Sequence, residues 1–431
     1  MTIPQRGASI CWTNYPRHTV EVADNAISET LDDNSDNAPT GRSFRALYLL
    51  PDFGVGGGQT ILLRTVVAQM AAGRGEYVVC GLRGGPLLEQ FRDAGVHCLV
   101  LDLEGPTSHL GALRDLRAVL RKERVEVICS FNTPLDRTYA QLAGALCKVP
   151  VVIWFMSVAI PLLRFPPARG RELAFLKRLV LLPINAVTAR RAAARMSLSG
   201  SVAATFARHL RLPANSFALV PPGLPAAFYE PPAGAQEIAD LRSSVCGGNG
   251  GPVLLNIGML IDLKGQQHLI PMMQYVTQDL PEAHLVLVGD GPNRQSLIDT
   301  VSSLGLQRQV HVLGHRHDVP ALLAASDVLL SASASEGFGM TVLEAMAAGK
   351  PVVAAYTPAF EEFAEEGTTA LFVERPDAEL LAAAVVDLCR DPDRVAAFGA
   401  AGSRAAEAFR VESTAEKVDA IFARVASAHR N

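Results

Sequence analysis

Short apolar runs alternate with segments of helical period along most of this chain, and that alternation restricts the fold more than any other feature. The first series of apolar runs lies at 46–50, 77–82, 98–101, 125–130 and 151–155. Segments of helical period lie between them, near 59–72, 110–122 and 135–146. Repeated strand–helix units predict a parallel sheet covered by helices on both faces, so the chain is of the α/β class.

A second series of the same kind follows a glycine-rich break at 247–251. Its predicted strands lie at 253–257, 285–288, 310–313, 328–330 and 352–354, and its last predicted helices lie near 392–409 and 413–427. A chain of 431 residues is too long for one typical core. We therefore expect two Rossmann-like domains that face each other across a cleft, with the ligand beyond the carboxyl ends of the strands.

Composition shifts along the chain predict the domain boundaries. The first residues are rich in Asp, Asn, Ser and Thr and have no apolar period, which is typical of disorder. The predicted organisation is a disordered tail at 1–43, an N-terminal domain at 44–232, a linker at 233–252, a C-terminal domain at 253–409, and a C-terminal helix at 410–431 that packs back on the N-terminal domain.

Charge is divided unequally between the two halves. Residues 44–230 carry a net charge of +10 and residues 231–431 carry −11, although the whole chain carries −4. The most basic stretch, 164–195, interleaves arginines with apolar residues, which is typical either of a helix on an anionic membrane surface or of an ordinary solvated helix. Nucleic acid is not expected as a partner, because no nucleic-acid motif accompanies this charge.

Targeting and cysteine patterns favour a cytoplasmic protein, and peripheral contact with the inner face of the membrane is expected only if the basic stretch at 164–195 binds anionic lipid. No apolar run is long enough to span a bilayer, and the first 42 residues lack the basic and apolar regions of a secretory signal. The seven cysteines show no C-x-x-C spacing, which favours reduced thiols over disulfides or zinc.

The most informative motif runs from 335 to 353 and places Glu336 and Glu344 around a glycine turn and a helix start. An apolar strand precedes the turn, and Gly349 ends the predicted helix. The first N–H groups of a helix lack internal partners, so such a turn binds anions, whereas carboxylates accept hydrogen bonds from paired hydroxyls. The alternative is a capped helix that carries two solvated glutamates.

Three further turns follow strands of the second series. They contain Gly258-Met259 with Lys264, Gly289-Asp290-Gly291-Pro292, and Gly314. Lys264 is the cation placed near a strand-to-helix turn, so it is the candidate for contact with a diphosphate. The alternative, a solvated lysine at a helix start, stays open. In the first series, the loop Gly56-Gly57-Gly58 lies between a strand and a helix and would admit a phosphate or a sugar closely.

These ordered motifs resemble the donor domain of the family-four glycosyltransferases, also called glycosyl transferases group 1. The resemblance covers about 253–409, and its most specific part is Glu336 through Glu344 with the tail 345–354. It implies a GT-B fold, a retaining sugar transfer from a nucleotide diphosphate donor, an N-terminal domain that binds the acceptor, and no cofactor or metal. The acceptor hydroxyl would belong to a glycan or to a lipid-linked sugar in cell-surface polysaccharide or glycolipid synthesis.

The resemblance also implies a role for each motif residue. Glu336 would hold hydroxyls of the donor sugar, Glu344 would hold the ribose, and Lys264 would neutralise the leaving diphosphate. Backbone at the turn would hold the sugar and the phosphates, at Phe338, Gly339, Met340 and Thr341. The remaining donor contacts would come from Gly258, Met259, Gly289 and Gly314.

Two positions depart from the family pattern. The family often has an arginine where this chain has Met259, and often has a histidine after the strand at 151–153, where this chain continues with Trp154. His315 and His317 flank Arg316 without a third ligand, so no metal is expected there. The alternatives that stay open are an inactive sugar-nucleotide binding protein and a nucleotide-sugar epimerase or a phosphorylase on the same fold.

Overall fold

The protein contains two sheets in which every strand pair is parallel. The computed structural model describes residues 44–103, 109–131, 133–156, 186–230, 234–246 and 250–430. The tail predicted at 1–43 lies outside these residues, as does 164–185 of the basic stretch.

The strands of the first sheet are β1 (Phe44–Leu50), β2 (Gly75–Gly81), β3 (His97–Val100), β4 (Val127–Ser130), β5 (Val151–Phe155), β6 (Ala194–Ser197) and β7 (Ala218–Leu219). Those of the second are β8 (Val253–Ile257), β9 (His284–Val288), β10 (Val310–Gly314), β11 (Val328–Ser331), β12 (Val352–Ala355) and β13 (Ala370–Val373).

Helices connect these strands and cover the sheets. In the first half they are α1 (Gly57–Ala72), α2 (Leu88–Asp93), α3 (His109–Lys122), α4 (Pro134–Cys147) and α5 (Gly200–Leu210). In the second half they are α6 (Ala235–Cys246), α7 (Gln266–Asp279), α8 (Arg294–Ser303), α9 (Val319–Ala325), α10 (Met340–Ala347), α11 (Ala378–Cys389), α12 (Pro392–Ala406) and α13 (Val411–Arg430).

Both sheets reverse their winding direction once, and each reversal creates a crevice at the carboxyl ends of two strands. The strand orders are β3-β2-β1-β4-β5-β6-β7 and β10-β9-β8-β11-β12-β13. The reversals therefore lie between β1 and β4 and between β8 and β11. Ligands of open α/β sheets bind at such points, and the chain places its glycine turns directly after β1, β8 and β11.

The strands predicted from apolar runs are confirmed, with ends that agree to within about two residues. Three strands were not predicted. Strand β6 contains Arg195 and has no apolar run, β7 has only two residues, and β13 lies at the edge of the second sheet. Tertiary pairing with β5 and β12, and not local sequence, makes β6 and β13 extended.

The segment at 233–252, predicted as a linker, differs from that expectation because it contains helix α6. Arg242 on this helix donates hydrogen bonds to the carbonyls of Ala325 and Gly251 and pairs with Asp327 at 2.6 Å. Leu241 packs on the apolar core. Helix α6 is thus held against the second sheet and its helix α9. The sequence predicted a linker here because the residues that flank this helix are rich in Pro and Gly.

The chain crosses between the two sheets twice, and the crossings lie side by side. Leu224 N donates to Phe409 O at 2.8 Å, and Val411 N donates to Leu224 O at 3.0 Å. Helix α13 then packs on the first sheet, where the Phe422 ring lies 5.9 Å from Phe44 and 5.6 Å from Tyr48. One apolar cluster contains residues of both sheets and of this helix, so the two halves share a core.

Candidate functional site

The turn between β11 and α10 is built around one strained glycine. Gly339 has φ +103°, and a Cβ on this residue would lie 2.4 Å from the ring of Phe360. No side chain fits this position, and the left-handed backbone favours glycine. Val342 N and Leu343 N both donate to Gly339 O, so the N–H groups of Met340 and Thr341 precede the first hydrogen bond of α10.

Glu336 and Lys264, which the sequence assigns to the site, are in direct contact. Lys264 Nζ lies 2.6 Å from Glu336 Oε1, and the two side chains are 28% and 12% exposed. The backbone brings them together, because Ala334 N donates to Leu263 O at 2.9 Å. A cation and a carboxylate are therefore presented together, half-buried, at the carboxyl ends of β8 and β11.

The other three strand-end turns lie next to one another along the same edge of the sheet. Gly258 N donates to Val288 O at 2.9 Å, and Gly289 N donates to Gly314 O at 2.8 Å. A Cβ on Gly289, whose φ is +139°, would lie 1.9 Å from Gly258 O. Met259 is 46% exposed beside this edge. The turns predicted as donor contacts thus form one continuous ridge of backbone.

Phe338 belongs to the core through its side chain, so only its backbone can contact a ligand. Its ring stacks on Phe363 with centroids 4.8 Å apart, and Phe409 lies 5.8 Å away. The buried ring anchors the turn between Glu336 and the start of α10. The backbone contact expected of this residue stays a prediction.

Glu344 lies on α10 and is buried. Its Oε1 pairs at 2.8 Å with Nη1 of Arg64, which lies on α1 beyond the glycine loop. Burial raises the pKa of the Glu344 carboxyl, and the Arg64 guanidinium opposes this rise. The carboxylate predicted to hold a ribose therefore already has a cationic partner from the other half of the chain.

The loop Gly56-Gly57-Gly58 forms the start of α1. Gly56 is the N-cap residue with an extended backbone, and Thr60 Oγ1 donates to its carbonyl at 3.1 Å. A Cβ on Gly58 would lie 3.4 Å from Met156 Sδ at the end of β5. The same helix thus presents the loop at its N-terminus and Arg64 farther along.

A second contact joins the two halves at the turn that carries Glu336. Ser199, the N-cap residue of α5, donates from Oγ to Gly337 O at 2.8 Å. Glu362 Oε1 accepts from Ser201 N at 3.3 Å, and burial raises the Glu362 pKa to about 7 despite this bond. The N-terminus of α5 therefore packs directly on the turn that carries Glu336.

Sequence patterns missed Arg64, Ser199 and Glu362. Each lies in an ordinary helix or turn context, and its partner lies in the other half of the chain. Ser199 carried a weak signal as a helix N-cap. Arg64 carried no sequence signal, because a single arginine in an apolar helix is typically a solvated residue.

The described residues contain no group of three or more His, Cys, Asp or Glu side chains that could hold a metal ion. The rings of His315 and His317 lie 4.6 Å apart in an edge-to-face arrangement, and Arg316 pairs with Asp318. Within the same ranges, every helix is too short or too polar to cross a membrane.

Two family models match the chain. The model described as "Glycosyl transferases group 1" matches residues 246–405, and "Glycosyl transferase 4-like domain" matches residues 56–223. The first match contains Lys264 and the turn from Glu336 to Glu344. The second contains the glycine loop and Arg64.

Curated relatives match over part of their length. A GDP-mannose-dependent α-(1-6)-phosphatidylinositol monomannoside mannosyltransferase of Mycobacterium tuberculosis is 32% identical over 199 residues, which cover 44% of this chain and 51% of that protein. A lipopolysaccharide core biosynthesis glycosyltransferase, LpsE of Rhizobium meliloti, is 33% identical over 140 residues, 32% of this chain and 40% of that protein. The chain thus spans about half, or less, of these relatives.

Solved structures match over nearly the whole chain. HepE of Anabaena, solved with UDP and glucose, superposes with a TM-score of 0.74 at 22% identity and covers 87% of this chain and 98% of its own. WaaG, a glycosyltransferase of lipopolysaccharide biosynthesis, superposes with a TM-score of 0.65 at 21% identity over 87% and 98%. At sequence identities this low, the structural similarity shows a shared fold and nothing further.

The two parallel sheets and their strand-end turns define the GT-B class of α/β proteins. Residues 246–405 belong to the glycosyl transferases group 1 family and residues 56–223 to the glycosyl transferase 4-like domains, so glycosyltransferase models match both halves of the chain. The fold and the family predicted from the sequence are confirmed.

Proposed function

We propose that this protein transfers a sugar from a nucleotide diphosphate donor to an acceptor hydroxyl and retains the anomeric configuration. The observation that carries the proposal is the contact between Lys264 and Glu336 beside the N-terminus of α10. One cation, one carboxylate and unpaired helical N–H groups meet the needs of a diphosphate joined to a sugar.

The proposed donor lies along the edge from Glu344 to Glu336. Glu344 accepts the ribose hydroxyls, the N–H groups of Met340 and Thr341 bind phosphate oxygens, and Glu336 accepts sugar hydroxyls. The Lys264 ammonium, which pairs with Glu336 at 2.6 Å, turns toward the diphosphate when the donor arrives. The positive end of α10 adds to this charge.

In the proposed reaction the bond between the anomeric carbon and the phosphate oxygen breaks, and a bond from the acceptor oxygen forms on the same face. The acceptor proton passes to the departing phosphate oxygen. Lys264 and α10 stabilise the negative charge that develops there. The proposal requires no metal or cofactor, because these groups supply the positive charge.

Met259 weakens this arrangement relative to the family pattern. Its thioether makes no ionic contact, whereas an arginine would add a charge-assisted hydrogen bond of about 1.5–3 kcal/mol. Met259 is 46% exposed, so a donor can cover it without displacing core packing. This position favours the alternative, an inactive sugar-nucleotide binding protein, and the turnover measurement below separates the two.

The proposed acceptor is a glycan or a lipid-linked sugar. Relatives that match this chain act on phosphatidylinositol monomannoside or in lipopolysaccharide core synthesis, according to their names. Arg190 and Arg191, the exposed part of the basic stretch within the described residues, lie before β6 in the first half. We propose peripheral contact of this half with the inner face of the membrane, where anionic lipid attracts arginine.

The test is release of nucleotide from a panel of UDP-, GDP- and ADP-sugars, with glycan and lipid-linked acceptors supplied. We expect release from at least one donor, and Glu336→Gln should lower kcat/KM about 10- to 100-fold, as expected for lost charged hydrogen bonds. Glu379→Gln, on the exposed surface of α11, is the matched control and should leave the rate unchanged.

If a donor binds but no combination of donor and acceptor releases nucleotide, sugar transfer is refuted and the inactive sugar-nucleotide binding protein is supported. Release of an isomerised nucleotide-sugar without an acceptor would indicate an epimerase. Activity that persists with a chelator supports the proposed independence from metal, and its loss and recovery on adding a divalent cation would contradict it.

A further inference from the structure

Arg64 and Glu344 form an ion pair that joins the two halves of the protein inside the donor site. Arg64 Nη1 lies 2.8 Å from Glu344 Oε1, and the side chains are 18% and 8% exposed. Arg64 lies on α1, the helix that begins with the glycine loop, and Glu344 lies on α10, the helix that begins at the donor turn.

The Arg64 guanidinium is held from a second side. Its Cζ lies 4.7 Å from the centre of the Phe228 ring, at the short turn Ala226–Phe228 that follows the first chain crossing. A guanidinium over an aromatic face is attracted by the ring quadrupole. Arg64 is thus fixed between an aromatic ring and a buried carboxylate, which gives the carboxylate a defined orientation.

Arg64 favours the ionised form of Glu344. Burial raises the pKa of the Glu344 carboxyl, and the nearby charge and hydrogen bond of Arg64 oppose that rise. Helix α1 has no other titratable side chain, and β11 and β12, which pack against α10, have none. The charged residues of α12 do not contribute to the shift; they are Asp393, Arg394 and Arg404.

The pair leaves acceptor capacity for a ligand. Within the described ranges, no protein group donates to Glu344 Oε2. An ionised carboxylate has about four lone-pair sites on its two oxygens, so one bond to Arg64 leaves room for two hydroxyl donors. A protonated carboxyl would offer fewer and weaker acceptor sites.

We propose that Arg64 is a positioning residue for the nucleotide: from the opposite half it holds Glu344 ionised and oriented, so that the carboxylate accepts the ribose hydroxyls. This inference rests on the proposed function, because it assumes a nucleotide donor at Glu344. It also ties donor affinity to the contact between the two halves, since Arg64 reaches Glu344 only when they are together.

The test is calorimetric titration with UDP, GDP and ADP as probes between pH 6 and 8.5. The wild-type protein should bind at least one of them with an affinity that changes little with pH. In Arg64→Met nothing opposes the rise of the Glu344 pKa that burial causes, so affinity should fall about 10- to 100-fold at the acid end of the series, as expected for lost charge-assisted bonds, and recover as pH rises.

Arg64→Lys keeps the cation and should retain a flat pH profile with intermediate affinity. Glu344→Gln should bind weakly at every pH. Arg74→Met is the matched control, because Arg74 follows the same helix and pairs with exposed Glu416 at 3.0 Å. It should bind as the wild type does.

Wild-type affinity and a flat profile in Arg64→Met would overturn the inference, and tighter binding would show that the ribose must displace the arginine. Failure of the wild-type protein to bind any of the three diphosphates would refute the proposed donor site itself. If Arg64→Met does not fold, a pH-dependent affinity in Arg64→Lys that matches Glu344 titration would also contradict the proposal.

Discussion

Replacing Asp419 should detach the last helix from the first sheet. Asp419 on α13 is 3% exposed, and its Oδ1 accepts hydrogen bonds from Gln69 Nε2 at 2.6 Å and from Tyr77 OH at 2.7 Å. Tyr48 OH donates to Gln69 Oε1 at 2.7 Å and extends the network. Helix α13 is therefore joined to α1, β1 and β2 by buried polar groups that have no access to water.

The expected loss in the free energy of unfolding follows from the hydrogen-bond donors that lose their acceptor. In Asp419→Ala, Gln69 Nε2 and Tyr77 OH both lose their acceptor, at about 1–3 kcal/mol each, so we expect a loss of about 2–6 kcal/mol. Tyr77→Phe removes one donor together with its need for a partner and should cost only about 1 kcal/mol. The double mutant should be more stable than the sum of the single losses predicts, because the two residues share a bond.

Urea unfolding measures these free energies. Trp154 is buried in β5 of the first sheet, so its fluorescence in a Trp12→Phe background reports on this half. Glu416→Ala is the control, since Glu416 lies on the same helix, is 65% exposed and should change stability by less than about 0.5 kcal/mol. A loss in Asp419→Ala no larger than this control, or strict additivity with Tyr77→Phe, would refute the reasoning.

Three further predictions concern single positions. Gly339→Ala should lower the melting temperature, because it combines a φ of +103° with an aromatic ring 2.4 Å from the new Cβ, whereas Gly111→Ala in α3 meets no atom within 4 Å and should not. Glu362→Gln should raise stability at pH 8 but not at pH 5: the native pKa of about 7 means that the wild-type protein loses stability as pH rises from about 4.5 to 7. Nδ1 of His284 lies 3.0 Å from Nε2 of His311, and burial is the main cause that lowers the pKa of both imidazoles. The free energy of unfolding should therefore fall as pH drops below about 6.5. His311→Gln should move the midpoint of acid unfolding to lower pH.

Local patterns sufficed for most of the architecture. Strands such as Val253–Ile257 and Val352–Ala355 are continuous apolar runs, which is typical of strands buried on both faces of a parallel sheet. The turn at Gly339 was also readable, because glycines between a strand and a helix indicate a backbone that other residues cannot adopt. Both signals lie within a few neighbouring residues.

Contacts between the halves were not predictable in the same way. Arg64 and Glu344 are brought together only by the packing of two sheets, and the hydrogen bond from Ser199 to Gly337 spans 138 positions. The sequence could therefore supply candidates for the donor site, but not the residues that contact them from the other half. Lys264 and Glu336 were each expected in the site, and the structure adds that they pair with each other.

The most direct test of the account is the separation of roles between the two glutamates. Binding of the nucleoside diphosphate alone should weaken in Glu344→Gln and stay unchanged in Glu336→Gln, where Lys264 is released for the diphosphate. Binding of the matching nucleotide-sugar should weaken in both variants. Equal losses for the diphosphate in the two variants, or a loss confined to Glu336→Gln, would contradict the placement of the ribose at Glu344 and of the sugar at Glu336.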